Sequence, residues 1–451
     1  MRLLLTNLRN RVVDARADEV RALCFAFVFN FLVLSSYYVV KPIRDDIGAA
    51  GKLESLSWMF TGTLVAMLIA NTLFSAIVAR MSRRKFIPIA YRFFMANLVI
   101  FYFLNPTQSV WAGRAFFVWV SVFNLFVVTV FWAFMTDVFN SDQGKRLFGA
   151  ISVGGTLGAI VGAKITELFI WKIGAANLLF VTVGMLEAGA WCVKFFPAGF
   201  EGTRTTSDDK TGAEELTDAE VLQQSPADLK RSAKSEQPIG GNIWAGITHV
   251  ARSPYLLGIC AFMLLHAITS TLVYFQQADI TGHGFHDRAA RTAFFAQIDQ
   301  WVNVLTIGVQ IFLTGRLLKW LGVGLTLAFL PVLSMMGFIA MGFVPVLALL
   351  ALFQVLRRAG NFAVTRPARE VLFTVLRRED KYKAKSFIDT FVYRLGDQVG
   401  AWSYPLLTWL GLGLTGISFV AAPLAAGWCV LSLWLGQRQG ALAKQRKPDA
   451  P

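Results

Sequence analysis

Long apolar stretches of nearly uniform length, separated by short polar joints, set the pattern of this chain. Runs of roughly 20 residues rich in Leu, Val, Phe, Ile and Ala recur about twelve times, each long enough to cross a ~30 Å hydrocarbon core as a helix. They fall near residues 20–40, 56–79, 86–104, 113–137, 148–171, 175–196, 254–277, 292–314, 322–343, 345–373, 385–409 and 413–435. The pattern predicts an all-α integral membrane protein whose transmembrane helices form two six-helix halves. One stretch interrupts it. Residues 197–242 are poor in apolar side chains and rich in Asp, Glu, Ser, Thr, Lys and Gly, so they cannot bury a core and are expected to form a disordered linker. The expected domains are an N-terminal six-helix half, 1–196, the linker, 197–242, and a C-terminal six-helix half, 243–451. The joint after the second span, ARMSRRKFIPIAYR, and the joint after the eighth, GRLLKWLGVGLTLAF, are both basic. Basic flanking of spans explains each alone; their shared position favours an internal duplication.

Composition strengthens the membrane reading. With 55% hydrophobic residues, 39 Phe, 13 Trp and a mean hydropathy of +0.53, the chain has more apolar surface than a soluble fold of its size would bury. The net charge of +15 comes largely from Lys and Arg at one set of span ends, the signature of loops retained in the cytoplasm. Both termini and the linker are therefore expected on the cytoplasmic side of a cell inner membrane. Nucleic acid is an unsuitable partner, because the basic residues alternate with spans and make no continuous face. Cys24, Cys192, Cys260 and Cys429 share no spacing and read as small packing residues. The first span is too long for the apolar region of a cleaved signal peptide and should stay in the mature protein.

Charge inside the spans is the main functional signal, since ionisable groups at membrane depth cost several kcal/mol unless paired or wetted. At the end of the first span Lys41 and Arg44 share a helical face, and Asp45 lies four residues from Lys41. Headgroup-seeking side chains would look similar, yet this end is otherwise short of basic residues. The tenth span carries Arg357, Arg358, Asn361 and Arg366 at helical spacing. Guanidinium forks at this depth suit a phosphate or carboxylate. Arg366 and Glu370 are spaced as an i, i+4 pair, and Pro367 should free a backbone carbonyl. In the eleventh span Asp389, Tyr393 and Asp397 share a face flanked by Arg394 and Gln398. Such carboxylates can carry a proton or neutralise a neighbouring arginine; both roles stay open. Asp137, Lys164, Glu167, Glu187, His266, Asp279 and Asp299 are lesser candidates. Gly154, Gly158 and Gly162 in the fifth span, and Gly396 and Gly400 in the eleventh, allow close helix contact, either as plain packing or as a sliding contact between halves.

Enzyme signals are absent from the sequence: it has no phosphate-binding loop, no HExxH and no paired CxxC. His283 and His286 offer at most an exposed pair of metal ligands. No cofactor is expected.

Three segments resemble the bacterial and plastid ATP/ADP antiporters, within or near the major facilitator superfamily. Lys41, Arg44 and Asp45 are similar to that family's basic-x-x-basic-Asp pattern. FWAFMTDVFNSDQGKRLFG, residues 131–149, is similar to its segment closing span four, with Lys145 at the lysine. KAKSFIDTFVYRLGDQVGAW, residues 383–402, resembles its Ile-Asp…Leu-Gly stretch. The resemblance implies the two-by-six fold, a transport activity and nucleotide as one possible substrate. Asp397 stands where the antiporters carry a substrate-related lysine, and their acidic residue in span four has no counterpart around 120–124.

The expectation is thus a secondary active transporter that moves an organic anion by alternating access. Lys41, Arg44, Arg357, Arg358, Asn361, Arg366 and Tyr393 would contact the solute, and Asp45, Asp389, Arg394 and Asp397 would balance charge or couple a proton or counter-solute. A nucleotide exchanger and a non-transporting membrane scaffold are the alternatives. Lipids are the other expected partners, and a monomer can suffice.

Overall fold

A computed structural model describes residues 16, 19–78, 83–139, 141–197, 253–376, 384–385 and 387–445. Nearly all of the expected linker and the basic joints at 79–82 and 377–383 lie outside the described residues, as do most of the first 18 residues and the last six. The described residues form helices and no strand: α1 (Val20–Ala50), α2 (Leu53–Val78), α3 (Arg83–Leu104), α4 (Val110–Val138), α5 (Ser141–Lys194), α6 (Pro254–Gly284), α7 (Arg288–Phe312), α8 (Thr314–Phe343), α9 (Leu347–Gly360), α10 (Arg366–Leu372), α11 (Tyr393–Trp409) and α12 (Leu414–Gln445).

Nine segments among the described residues are long and apolar enough to cross a membrane. α7 and α11 are not among them: α11 has 17 residues, and α7 carries Gln297, Asp299, Gln300 and Asn303 within its apolar stretch. α5 runs without a joint through two of the expected spans, but Gly174 breaks it at φ 76°, and Gly322 breaks α8 in the same way at φ 70°. Both angles lie in the left-handed region that glycine enters without steric cost. Side-chain caps fix other starts. Ser109 begins α4 and Ser253 begins α6, while Asp287 begins α7 by accepting from the backbone N–H groups of Ala289 and Ala290.

Buried side chains form three cores. One joins α1, α3, α4 and α5 around Phe29, Phe123 and Phe131; another joins α6, α8, α10 and α12 around Phe262, Leu330 and Trp428. The third crosses between the two sets, packing Ala49, Leu56, Met59 and Phe117 against residues of α6, α7 and α11. The glycine stripe of α5 faces α1: a Cβ on Gly158 would lie 2.2 Å from the Phe31 carbonyl oxygen, and one on Gly162 2.4 Å from that of Ser35. That contact lies inside the first set of helices, so the sliding role between halves does not apply to this stripe. Gly396 and Gly400 bring α11 close to α6, where an added Cβ would lie 3.0 Å from the carbonyl oxygens of Leu264 and Ile268.

Because successive helices reverse direction, the helix ends fall on two faces. On the face away from the termini, where α1 ends and α7 begins, the two sets are tied together. Ser57 donates to the Ala401 carbonyl (2.6 Å), the rings of Trp58 and Trp402 meet at 5.1 Å, and a Cβ on Gly282 would touch the Ala49 carbonyl. Toward the termini face the sets separate around a cavity.

Candidate functional site

The residue types that a bilayer core excludes are gathered where α1, α6, α7, α9 and α11 meet. Lys41 Nζ donates to Asp45 Oδ2 (2.7 Å) and to both oxygens of Asp299 on α7 (2.8 and 2.9 Å). Arg358 Nη2 reaches Asp299 Oδ1 at 2.6 Å. Arg44 approaches Asp45 Oδ1 at 3.3 Å, and the Tyr274 hydroxyl donates to the same oxygen at 3.0 Å. The Arg44 guanidinium also lies 4.0 Å over the Phe117 ring. Three cations thus share two carboxylates, which offsets most of the desolvation cost and leaves one positive charge in excess. Asp299, only a lesser candidate on sequence, is the centre of this network and fully buried. The usable signal was its spacing with Asn303 and Thr306, which puts all three on one face of the helix.

Arg357 points elsewhere. It is buried against hydroxyls, with Nε 3.1 Å from Ser334 Oγ, and Nη2 3.2 Å from Thr269 Oγ1 and 3.0 Å from Ser270 Oγ.

Between α9 and α10 the chain makes one π turn, Asn361–Thr365, and the backbone N–H of Arg366 donates to the Asn361 carbonyl. Pro367 has no N–H to offer, so the carbonyls one turn back need other donors. Thr314 Oγ1 donates to the Ala363 carbonyl (2.7 Å) and Gln310 Nε2 to that of Phe362 (3.3 Å). A second π turn, Ile388–Val392, leads into α11. Extra residues of this kind re-aim the side chains that follow, here Arg366 and Tyr393.

Both point into the cavity, whose volume is about 630 Å³. Its lining runs from Arg44, Tyr274 and Asp397 near midspan to Met263, Arg369 and Asp389 near the termini face. Arg366 and Asp389 are exposed, so the cavity opens there. Arg369 lies 3.5 Å from Asp389, and Arg394 lies 3.2 Å from Asp397, which also accepts from Thr271 (3.3 Å). Arg366 has no carboxylate among the described residues; its guanidinium lies 4.8 Å over the Phe362 ring. Four guanidinium groups against two carboxylates give the lining a positive excess.

The structure therefore divides the expected site. Arg44, Arg366, Tyr393, Asp389, Arg394 and Asp397 line the cavity, and Lys41, Asp45 and Arg358 form the ion network. Arg357 lies behind Ser270, and Asn361 contributes to the π turn. The Arg366–Glu370 pair suggested by spacing does not form: Glu370 takes Lys385 at 2.5 Å, because Arg366 is turned into the cavity. His266 is buried between Tyr393 and Trp428. On the far face, His283 meets Asp279 at 3.2 Å.

A multi-pass helical protein with a polar, charged cavity between two sets of helices is the class that fold and geometry define. The sequence profile of the Major Facilitator Superfamily matches residues 23–369, and the chain belongs to that family of transporters. It is similar to the ADP,ATP carrier protein 1 of Chlamydia pneumoniae, 18% identical over 462 residues that cover 87% of this chain and 86% of the relative. The protein of the same name from Chlamydia trachomatis serovar D is 19% identical over 331 residues, covering 64% and 58%. Solved structures of the same fold include a D-xylose-proton symporter (TM-score 0.62, 11% identity, 92% of this chain and 96% of that one). An auto inhibited POT family peptide transporter matches with a TM-score of 0.60 and 15% identity, over 96% and 98%. At these identities the likeness shows the fold alone.

Proposed function

We propose that this protein is a secondary active transporter that moves an organic anion, bearing phosphate or carboxylate, across a cell inner membrane by alternating access. The observation that carries this reading is the cation excess of the cavity, with Arg366 lacking a carboxylate partner among the described residues. An anion entering from the open face can bind Arg366 without displacing a carboxylate. It then competes with Asp389 for Arg369 and with Asp397 for Arg394, each a single contact longer than 3 Å that a bidentate phosphate or carboxylate can replace. A displaced carboxylate is free to take a proton, or to wait for a counter-solute. Basic span ends support cytoplasmic termini, which makes the open face the inward one. One chain supplies the whole cavity, so a monomer suffices.

Nucleotide exchange is the second reading, favoured by the similarity to the ADP,ATP carriers and by Tyr37, Phe60, Tyr274 and Tyr393 in the cavity wall, on which a base could stack. Counterflow in proteoliposomes tests both. Preloaded vesicles should exchange labelled anions, and Arg366→Ala should lower the rate about tenfold or more, as loss of a charged hydrogen bond predicts. Exchange of ATP against ADP would select the nucleotide reading. No exchange of any phosphate, nucleotide or carboxylate would favour a membrane scaffold.

A further inference from the structure

A second concavity, about 1190 Å³, lies between α2, α3 and α4, on their lipid-facing side and apart from the central cavity. Its wall is apolar and aromatic from Trp58 and Trp119 down to Phe126, with the residues at its rim heavily exposed, Trp111 at 77%. Apart from indole groups, the only polar side chains in the wall are Ser55, in the first turn of α2, and Arg114, in the second turn of α4; both helices start at the face away from the termini. From Ser55 to Ala70 the groove follows α2 for roughly 22 Å at the helical rise, more than one leaflet of a ~30 Å hydrocarbon core.

Arg114 gives this groove its chemistry. Its Nε is buried without a hydrogen-bond partner, and its guanidinium meets no carboxylate among the described residues, only the Trp111 ring at 5.0 Å. A guanidinium in this position is costly unless an anion or water satisfies it. One cation at the headgroup end, tryptophans beside it and an unbroken apolar trough below suit a lipid with a negative head and long tails.

We propose that this groove binds one anionic phospholipid, its phosphate on Arg114 and an acyl chain along the aromatic wall. The site has a route to the transport machinery. α2 presents Trp58, Ala66 and Ile69 to the groove and Phe60, Thr63 and Leu64 to the central cavity, so an occupied groove bears on a helix that lines both.

Native mass spectrometry of the full chain, titrated with phosphatidylglycerol or phosphatidylcholine of equal chain length, tests this. The wild-type chain should retain one phosphatidylglycerol in preference to phosphatidylcholine by about fivefold, the scale of one basic group near a membrane surface. Arg114→Gln should bring the two lipids to parity, Arg114→Lys should keep part of the preference, and Val118→Trp, which fills the trough, should remove both lipids. An unchanged preference in Arg114→Gln would overturn the proposal, as would a dimer seated without lipid. Free glycerol phosphate competing as well as the intact lipid would overturn it too, because the trough would then contribute nothing.

Discussion

Asp46 on α1 and Arg291 on α7 are joined by a 2.6 Å contact between Oδ1 and Nε, both side chains being buried. Arg288 holds the other oxygen at 2.8 Å and also donates to the Thr107 carbonyl in the α3–α4 turn. One carboxylate therefore ties the first set of helices to the start of α7, on the face away from the termini. Asp46→Asn keeps the shape and removes the charge. Leaving a buried partner uncompensated costs about 3–5 kcal/mol, against the ~5.5 kcal/mol that turns a 1:99 population into 99:1. A cysteine placed in the cavity as Ser121→Cys, in a chain without its other cysteines, should then react faster with an impermeant maleimide added at that face. Equal rates with and without Asp46→Asn would show that this contact does not hold the face shut.

Asp299 serves Lys41 and Arg358 at once while fully buried. Asp299→Asn should lower thermal stability in detergent by about 3–5 kcal/mol, because two cations lose their shared counter-charge. Adding Lys41→Met removes one of them and should recover part of the loss. The expected coupling of about 0.5–3 kcal/mol is read from a double-mutant cycle, and strict additivity would mean that the pair does not act as a unit.

The glycine stripe makes a sharper demand. A Cβ at Gly158 meets the Phe31 carbonyl oxygen at 2.2 Å, whereas one at Gly149, on the same helix, meets nothing within 4 Å. Backbone cannot yield as a side-chain tip does, so Gly158→Ala should destabilise by about 1–3 kcal/mol while Gly149→Ala stays neutral or slightly stabilising. Similar melting temperatures for the two variants would contradict this packing.

How much of this was legible in sequence depends on what each residue's role required. The apolar runs and the Gly154, Gly158 and Gly162 spacing could be read directly, since membrane thickness and helical period fix them. The break at Gly174 fell between two expected spans for the same reason. The partners of the charged groups were not legible. Asp299 lies 258 positions from Lys41 in the chain, and no local rule links them. Spacing paired Arg366 with Glu370, but the π turn at Asn361–Thr365 carries Arg366 into the cavity. The clue to that turn was Pro367, which announces an idle carbonyl without saying how the helix accommodates it.

Substitution of Asp397 tests whether binding and coupling are separable. The carboxylate neutralises Arg394 across 3.2 Å and accepts from Thr271. Asp397→Asn leaves the guanidinium unpaired and the cavity one unit more positive. Anion affinity, read by thermal shift, should rise, and counterflow should persist. Net uptake should fall if the carboxylate carries the coupled charge. Parallel loss of counterflow and net uptake would assign Asp397 to binding alone.

The Thr314 hydroxyl and Pro367 offer the cleanest separation of stability from function. Thr314 Oγ1 donates to the Ala363 carbonyl, the acceptor that an N–H at position 367 would serve in an uninterrupted α-helix. Thr314→Val leaves that carbonyl unsatisfied in an apolar setting and should cost about 1–3 kcal/mol. Adding Pro367→Ala restores a backbone donor and lets the turn close as α-helix, recovering the stability. Dropping the extra residue of the π turn, however, rotates Arg366 by roughly 100° about the helix axis, away from the cavity. The double variant should therefore melt close to the wild-type temperature and yet transport poorly. Thr314→Val alone should transport normally at temperatures where it remains folded. Full transport by the double variant would show that the π turn does not aim Arg366, and unchanged stability of Thr314→Val would remove the hydroxyl from the account.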